Sequence, residues 1–277
     1  MFAITAFGPF QGVEANPSDA LARWLASAAD IGDKDVSGSG GGAANADAGM
    51  SSVPPDCVVY RGCDQPARLR LPGGGSAVLL ACDTLAVSAR AADAWIAAAL
   101  PRLCRTCGSS RLVLLHLGVA PNASVIRLEA RAADSADFRC ADADGWRAQR
   151  VAISAAALCQ HAWGSSAGGC GELSASAPEP RWRATSIDVA GLAARLTAAG
   201  HEVSVSDDAG RFICNWIFYR SLEAAAAGSG DERGGGVASL FVHVPPFSAV
   251  PEQRQRAFLL GLLSALSDGG SGGGANV

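Results

Sequence analysis

At 277 residues the chain is long enough to bury a sizeable core, and its length suits one large domain carrying insertions better than two small ones. Its 22 Lys+Arg against 26 Asp+Glu give a formal net charge of -4 with no basic cluster, which argues against nucleic acid or an anionic membrane surface as a partner. The opening MFAITAFGPF lacks the charged lead and long apolar run of a secretion signal, and no apolar stretch is of membrane-spanning length, so the expectation is a soluble, cytoplasmic protein.

Met1 to Ala6 reads as a buried strand, and Phe7-Gly8-Pro9-Phe10-Gln11-Gly12 as the loop after it, with two aromatics stranded on it. Those rings either plug the core or line a pocket. Asn16-Pro17-Ser18 is a helix start, and Leu21, Trp24 and Leu25 form the apolar stripe of the helix behind it. Residues 34–56 turn to Gly, Ser, Ala and Pro and read as a flexible insertion. Cys57–Tyr60 and Ala77–Cys82 are β-like around Pro72-Gly73-Gly74-Gly75, and Ala89–Leu103 is helical with Ala92, Trp95, Ile96 and Leu100 on one face. Leu112–Leu117 is a continuous apolar run, as in a central strand covered on both faces.

Val125–Ala133 carries Glu129; Asp134–Arg150 reads as polar and irregular, and 164–180 as a second insertion. Ile187–Ala199 is an amphipathic helix closed by Gly200. Val203–Ser206 is a strand, Asp207-Asp208-Ala209-Gly210 a tight turn, and a helix opens near Cys214. A third Gly-rich insertion is read at 224–236, then a strand at Val237–Val244 and a helix at Gln253–Leu266. The alternation implies a three-layer α/β/α sandwich, a single domain over 1–268, with a disordered tail at 269–277.

Nine cysteines are an odd number without secretory context, so at least some stay reduced. Cys104 and Cys107 form a lone C-x-x-C at the end of a helix, where neither a zinc finger nor a redox motif belongs. Cys214 lies where a strand hands over to a helix; unpaired N–H groups and the helix dipole there favour thiolate. The same cysteine, followed by Ile217, Phe218 and Leu222 at helical spacing, also reads as a small buried hydrophobe. A nucleophile needs a base. Of the four histidines, His116 lies within an apolar run and reads as a hydrogen-bonded core residue, while His161 and His201 read as solvent-facing. His243 ends a strand before Pro245-Pro246, where catalytic groups of open α/β sheets collect.

The run Asp208-Ala209-Gly210-Arg211-Phe212-Ile213-Cys214-Asn215, on to Tyr219 and Ser221-Leu222, resembles the active-cysteine motif of the pyroglutamyl peptidase I (pyrrolidone carboxyl peptidase) family. Phe241-Val242-His243-Val244-Pro245 resembles the family's active-histidine motif. Phe7-Gly8-Pro9-Phe10 with Asn16-Pro17-Ser18 resembles its opening signature, and His116-Leu117-Gly118 followed by Leu128-Glu129 the segment that supplies its glutamate. The chain departs from the pattern at Ala6, at Asp134 where the family has asparagine, and across Arg139–Gly145.

The resemblance implies a cysteine peptidase that removes N-terminal pyroglutamyl residues through a Cys214-His243-Glu129 triad, with no cofactor and no metal. It places the oxyanion on the backbone N–H of Cys214, with Arg139 as a second candidate, and implies N-terminally pyroglutamylated peptides as partners. Pyroglutamate is flat and uncharged, so Phe7, Phe10, Phe212 and Ile213 are expected to wall its pocket, with Asn16 beside them. A homo-oligomer is compatible with this reading. The rivals are an inactive pyroglutamyl-peptide-binding protein of the same fold and a redox protein using Cys104 and Cys107.

Overall fold

The computed structural model describes residues 1–31, 58–61, 66–156, 180–228 and 236–268. The expected insertions at 34–56 and 164–179, residues 229–235 of the third, the tail, Cys57, Cys63, Cys159, Cys170 and His161 lie outside the described residues. In chain order the elements are β1 (Phe2–Phe7), α1 (Pro17–Ile31), β2 (Val58–Arg61), β3 (Ala67–Arg70), β4 (Ser76–Leu85), α2 (Ala89–Cys107), β5 (Leu112–Val119), β6 (Ile126–Glu129) and β7 (Arg131–Ala133). Then follow α3 (Ile153–Ala156), β8 (Trp182–Ala184), α4 (Val189–Ala198), β9 (Val203–Ser206), α5 (Ile213–Gly228), β10 (Val237–Val244) and α6 (Glu252–Asp268).

The main sheet runs β2-β4-β1-β5-β10-β6-β9, with β3 also on β4. Strands β4, β1, β5 and β10 are parallel. β6 runs antiparallel to β10 and parallel to β9. Helices α1, α4 and α6 cover one face, where Leu21, Leu25, Leu192, Leu259 and Leu262 pack on Ile4, Leu115 and Val242. Helices α2 and α5 cover the other, where Trp95, Ile96, Trp216 and Phe218 pack on Ala3, Leu114 and Phe241. That is the α/β/α sandwich expected, and it explains why the central strands are apolar without alternation.

The structure departs from the sequence reading in four places. Val125–Ala133 is two strands: buried Ile126 and Leu128 alternate with exposed Arg127 to make β6, and β7 pairs with β8 in a separate ribbon. Residues 224–228 are not loop but the last turn of α5, since the alanine run 224–227 has the strongest helix propensity of any residue type. Asp134–Arg150 is irregular yet packed, with Ala136, Phe138, Ala148 and Val151 buried and Ala136 bridged to Val151. His201, expected toward solvent, is half-buried against α6, with its ring 5.8 Å from that of Phe258.

His116, at the centre of β5, has no exposed surface, and its Nδ1 shares a 2.7 Å hydrogen bond with Thr5 Oγ1. Burial lowers its pKa to about 3. Above an ordinary value near 6.5 both folded and unfolded states hold it neutral; between 6.5 and about 3 only the unfolded state takes the proton. Stability is therefore expected to fall by up to about 1.4 kcal/mol per pH unit from this group as pH drops through that window. Urea melts of wild type and His116→Gln across the window check this: the variant's acid limb should be shallower, and parallel limbs would remove His116 from the account.

Candidate active site

The parallel strands β1, β5 and β10 end on one edge of the sheet, the edge where ligands collect in open α/β folds. His243, near the end of β10, stands opposite Gly118 of β5 and Arg127 of β6. Glu129 pairs with Phe241, two residues back along β10, so its side chain lies diagonally on the same face as His243. The contact is direct, 2.7 Å from His243 Nδ1 to Glu129 Oε1. Glu129 has no exposed surface, and its other oxygen has no hydrogen-bond partner among the described residues. The carboxylate is thus committed to the imidazole.

Cys214 is the second residue of α5 and is half-buried. Its thiol hydrogen-bonds the His243 ring, whose Nδ1 is taken by Glu129, which leaves Nε2 for the sulfur. Burial alone would lower the His243 pKa. The charge and hydrogen bond of Cys214, then the hydrogen bond and charge of Glu129, outweigh it and push the value up to about 9. At neutral pH the imidazole therefore holds its proton between Cys214 and Glu129.

Glycine at 118 is a steric requirement. A Cβ there would lie 2.6 Å from Phe241 Cζ and 3.0 Å from Cys214 Sγ. The Phe241 ring in turn packs 4.7 Å from that of His243, so these side chains share one small space.

Aromatic rings cluster around Phe212, just before the first turn of α5. The Phe10 and Phe212 rings lie 5.7 Å apart, Phe138 stands edge-on to Phe212 at 4.9 Å, and the exposed Arg139 guanidinium lies 5.5 Å over the Phe212 ring. Phe10 is presented by a tight turn in which its N–H and C=O both bond Val13, with Gly12 at φ 82. The polar loop after Phe138 is fastened to the first turn of α2: Asp142 accepts from Ala89 N at 3.1 Å, and Asp144 pairs with Arg90 at 2.7 Å. Asp134 caps α3, accepting from Ser154 N at 2.8 Å and Oγ at 2.6 Å.

Three residues expected at the pocket are placed otherwise. Phe7 is 3% exposed and packs into the core beneath α2, and Ile213 is wholly buried in the same cluster. Both central-strand faces and most of the α5 surface are covered, so an apolar residue there is drawn into the core. Asn16 turns its amide inward: Nδ2 donates to Gly8 O at 3.0 Å while Oδ1 accepts from Ser18 N at 3.1 Å, capping α1 and fixing the Phe7–Gly8 backbone. Cys214, His243 and Glu129 are thus in contact, Phe10 and Arg139 cluster on Phe212 two residues before the thiol, and Phe7, Ile213 and Asn16 are turned into the interior.

Cys104 and Cys107 occupy the last turn of α2, one exposed and one buried, and burial pushes the Cys107 thiol up, opposite to what a reactive dithiol needs. Among the described residues no group of three or more His, Cys, Asp or Glu is placed to hold a metal ion, and no helix is long and apolar enough to cross a membrane.

A thiol at a helix N-terminus, hydrogen-bonded to an imidazole that a buried carboxylate holds, is an arrangement able to support nucleophilic chemistry. The sequence profile of pyroglutamyl peptidase matches residues 172–261, a span that includes Cys214 and His243. The pyrrolidone carboxyl peptidase of Thermus thermophilus shares the fold at TM-score 0.54 and 22% identity, over 96% of this chain and 100% of that one. The Pyrococcus furiosus enzyme gives 0.57 and 17% over 96% and 98%, and that of Thermococcus litoralis 0.55 and 17% over 100% and 99%. No curated protein matches this chain. The chain thus shares the fold of these pyrrolidone carboxyl peptidases, and its residues 172–261 match the pyroglutamyl peptidase family.

Proposed function

We propose that the protein hydrolyses the amide bond after an N-terminal pyroglutamyl residue, with Cys214 as nucleophile, His243 as acid and base, and Glu129 as the group that orients and charges His243. The observation that carries this is the chain of contacts from Cys214 through His243 to Glu129, with 2.7 Å between the last two. The Cys214 sulfur attacks the pyroglutamyl carbonyl carbon, its proton resting on His243. The carbonyl electron pair moves to oxygen, and the backbone N–H groups of the first turn of α5, which have no acceptor within the helix, receive it. Arg139, whose guanidinium lies over the Phe212 ring, is the second candidate for that oxygen by family resemblance. Collapse breaks the C–N bond as His243 gives its proton to the leaving amine, and the thioester remains on Cys214. Water then gives its proton to His243 and its oxygen to the carbonyl, which releases pyroglutamate and restores the thiol.

The paired rings of Phe10 and Phe212 suit a flat, uncharged lactam. Glu129 is committed to His243, and burying a free N-terminal ammonium unpaired is costly, so unblocked peptides are expected to be poor substrates. The reaction needs a reduced thiol, which suits a reducing compartment such as the cytoplasm. Incubation of the reduced protein with a pyroglutamyl amide of a fluorescent amine tests the reading. Release of amine is expected, lost in Cys214→Ala and after alkylation; a Cys214→Ala protein that still releases amine would falsify the mechanism, and a protein that binds the amide without turnover would be the inactive binder.

A further inference from the structure

The nucleophile's position relative to its base has to be fixed by something other than the sheet, because His243 and Glu129 are sheet residues and Cys214 is not. His243 is held by β5 and β6, and Glu129 by β10 and β9. Cys214 depends on how the first turn of α5 is docked. Next to it stands Asn215, with no exposed surface. Its Oδ1 accepts from Ala133 N at 2.9 Å, and its Nδ2 donates to Ala133 O and to Ser135 O, each at 2.9 Å. Both amide hydrogens and the carbonyl oxygen are thereby used on the segment that leaves Glu129 by way of β7. The clasp joins the helix carrying the thiol to the strand continuing from the carboxylate.

We propose that Asn215 is a positioning residue for the reaction described above: its amide clasps the first turn of α5 to the Ala133–Ser135 backbone and so sets the distance between the Cys214 thiol and the His243 imidazole. A secondary contact supports the same docking, Asp137 N donating to Arg211 O at 3.0 Å, but it lies three residues before the thiol. Asparagine is the side chain that both accepts from an N–H and donates to two carbonyls at this reach. Aspartate loses both donors and turns a carboxylate toward two carbonyl oxygens; serine does not span the gap. The inference rests on the proposed thiol mechanism, so its test includes a readout that needs no substrate.

The experiment measures three things on wild type, Asn215→Ser, Asn215→Asp and, as a control, Leu192→Ala, which removes core packing on the opposite face of the sheet. They are the melting temperature, the kinetics on a pyroglutamyl amide, and the rate of Cys214 alkylation by iodoacetamide at neutral pH, read on the Cys214 peptide by mass spectrometry. A misplacement of about 1 Å is enough for a loss near 10²-fold in kcat, with KM within a few-fold. Cys214 alkylation is expected to slow about tenfold in both Asn215 variants as contact with the imidazolium loosens, and Leu192→Ala, though less stable, should keep wild-type kcat and alkylation. If one Asn215 variant does not fold, the other carries the test. Asn215 variants that melt early but turn over and alkylate like Leu192→Ala would overturn the proposal. A wild type that alkylates quickly yet leaves the amide intact would count against the substrate reading alone, and the alkylation rates would still decide the role of Asn215.

Discussion

Gly118→Ala is expected to lower kcat/KM for a pyroglutamyl amide by about 10²-fold or more, from a change of one methyl group outside the reacting atoms. The added Cβ would lie 3.0 Å from Cys214 Sγ and 2.6 Å from Phe241 Cζ, so neither neighbour can stay where it is. Phe241 cannot yield freely, because its ring is wholly buried and packs 6.0 Å from Phe218 and 4.7 Å from His243. Any shift of the ring therefore presses on the base while the methyl presses on the nucleophile. Overpacking of this kind costs roughly 1–3 kcal/mol of stability, which is visible as a lower melting temperature without loss of the fold. Steady-state kinetics with a melting curve on the same sample check it: kcat/KM within threefold of wild type would show that the thiol has room the geometry denies.

Glu129→Gln should cost about 10³-fold in kcat/KM and also move the pH profile. The substitution keeps shape and an acceptor oxygen for His243 Nδ1 but removes the buried charge that favours the imidazolium. Glu129 supplies two of the influences that hold His243 near 9, a hydrogen bond and a charge, and burial, which works against the proton, is unchanged. The alkaline limb of kcat/KM marks loss of the proton that His243 must give to the leaving amine, so in wild type it should fall near pH 9. A lowered His243 pKa moves that limb to lower pH. A Glu129→Gln limb still near 9, or shifted upward, would mean that the carboxylate does not act through the imidazole.

What the sequence made legible was local. The loop carrying Phe10, the helix start at Cys214 and the strand end at His243 each rest on a few adjacent residues with turn or capping chemistry. Strands β6 and β7 were not legible, because Arg127, Glu129 and Arg131 interrupt short segments and only the pairing of β6 with β10 and β9 makes a strand of it. The facing of Phe7 and Ile213 was not legible either: β1 is buried on both sides and α5 nearly all round, so periodicity gives no face for a pocket. The role of Asn215 depends on backbone groups 80 and 82 residues away. Glu129 and His243 are 114 residues apart, and their contact was an implication of family resemblance, not of pattern.

The proposed reaction passes through a covalent step at one sulfur, and trapping that step tests it most directly. Wild-type protein mixed with an excess of an activated pyroglutamyl ester, quenched in acid during turnover and digested, should yield a Cys214 peptide heavier by one pyroglutamyl acyl group and labile to hydroxylamine. Cys214→Ala should yield none and turn over nothing. Turnover by wild type with the acyl group on another residue, or turnover by Cys214→Ala, would contradict the account.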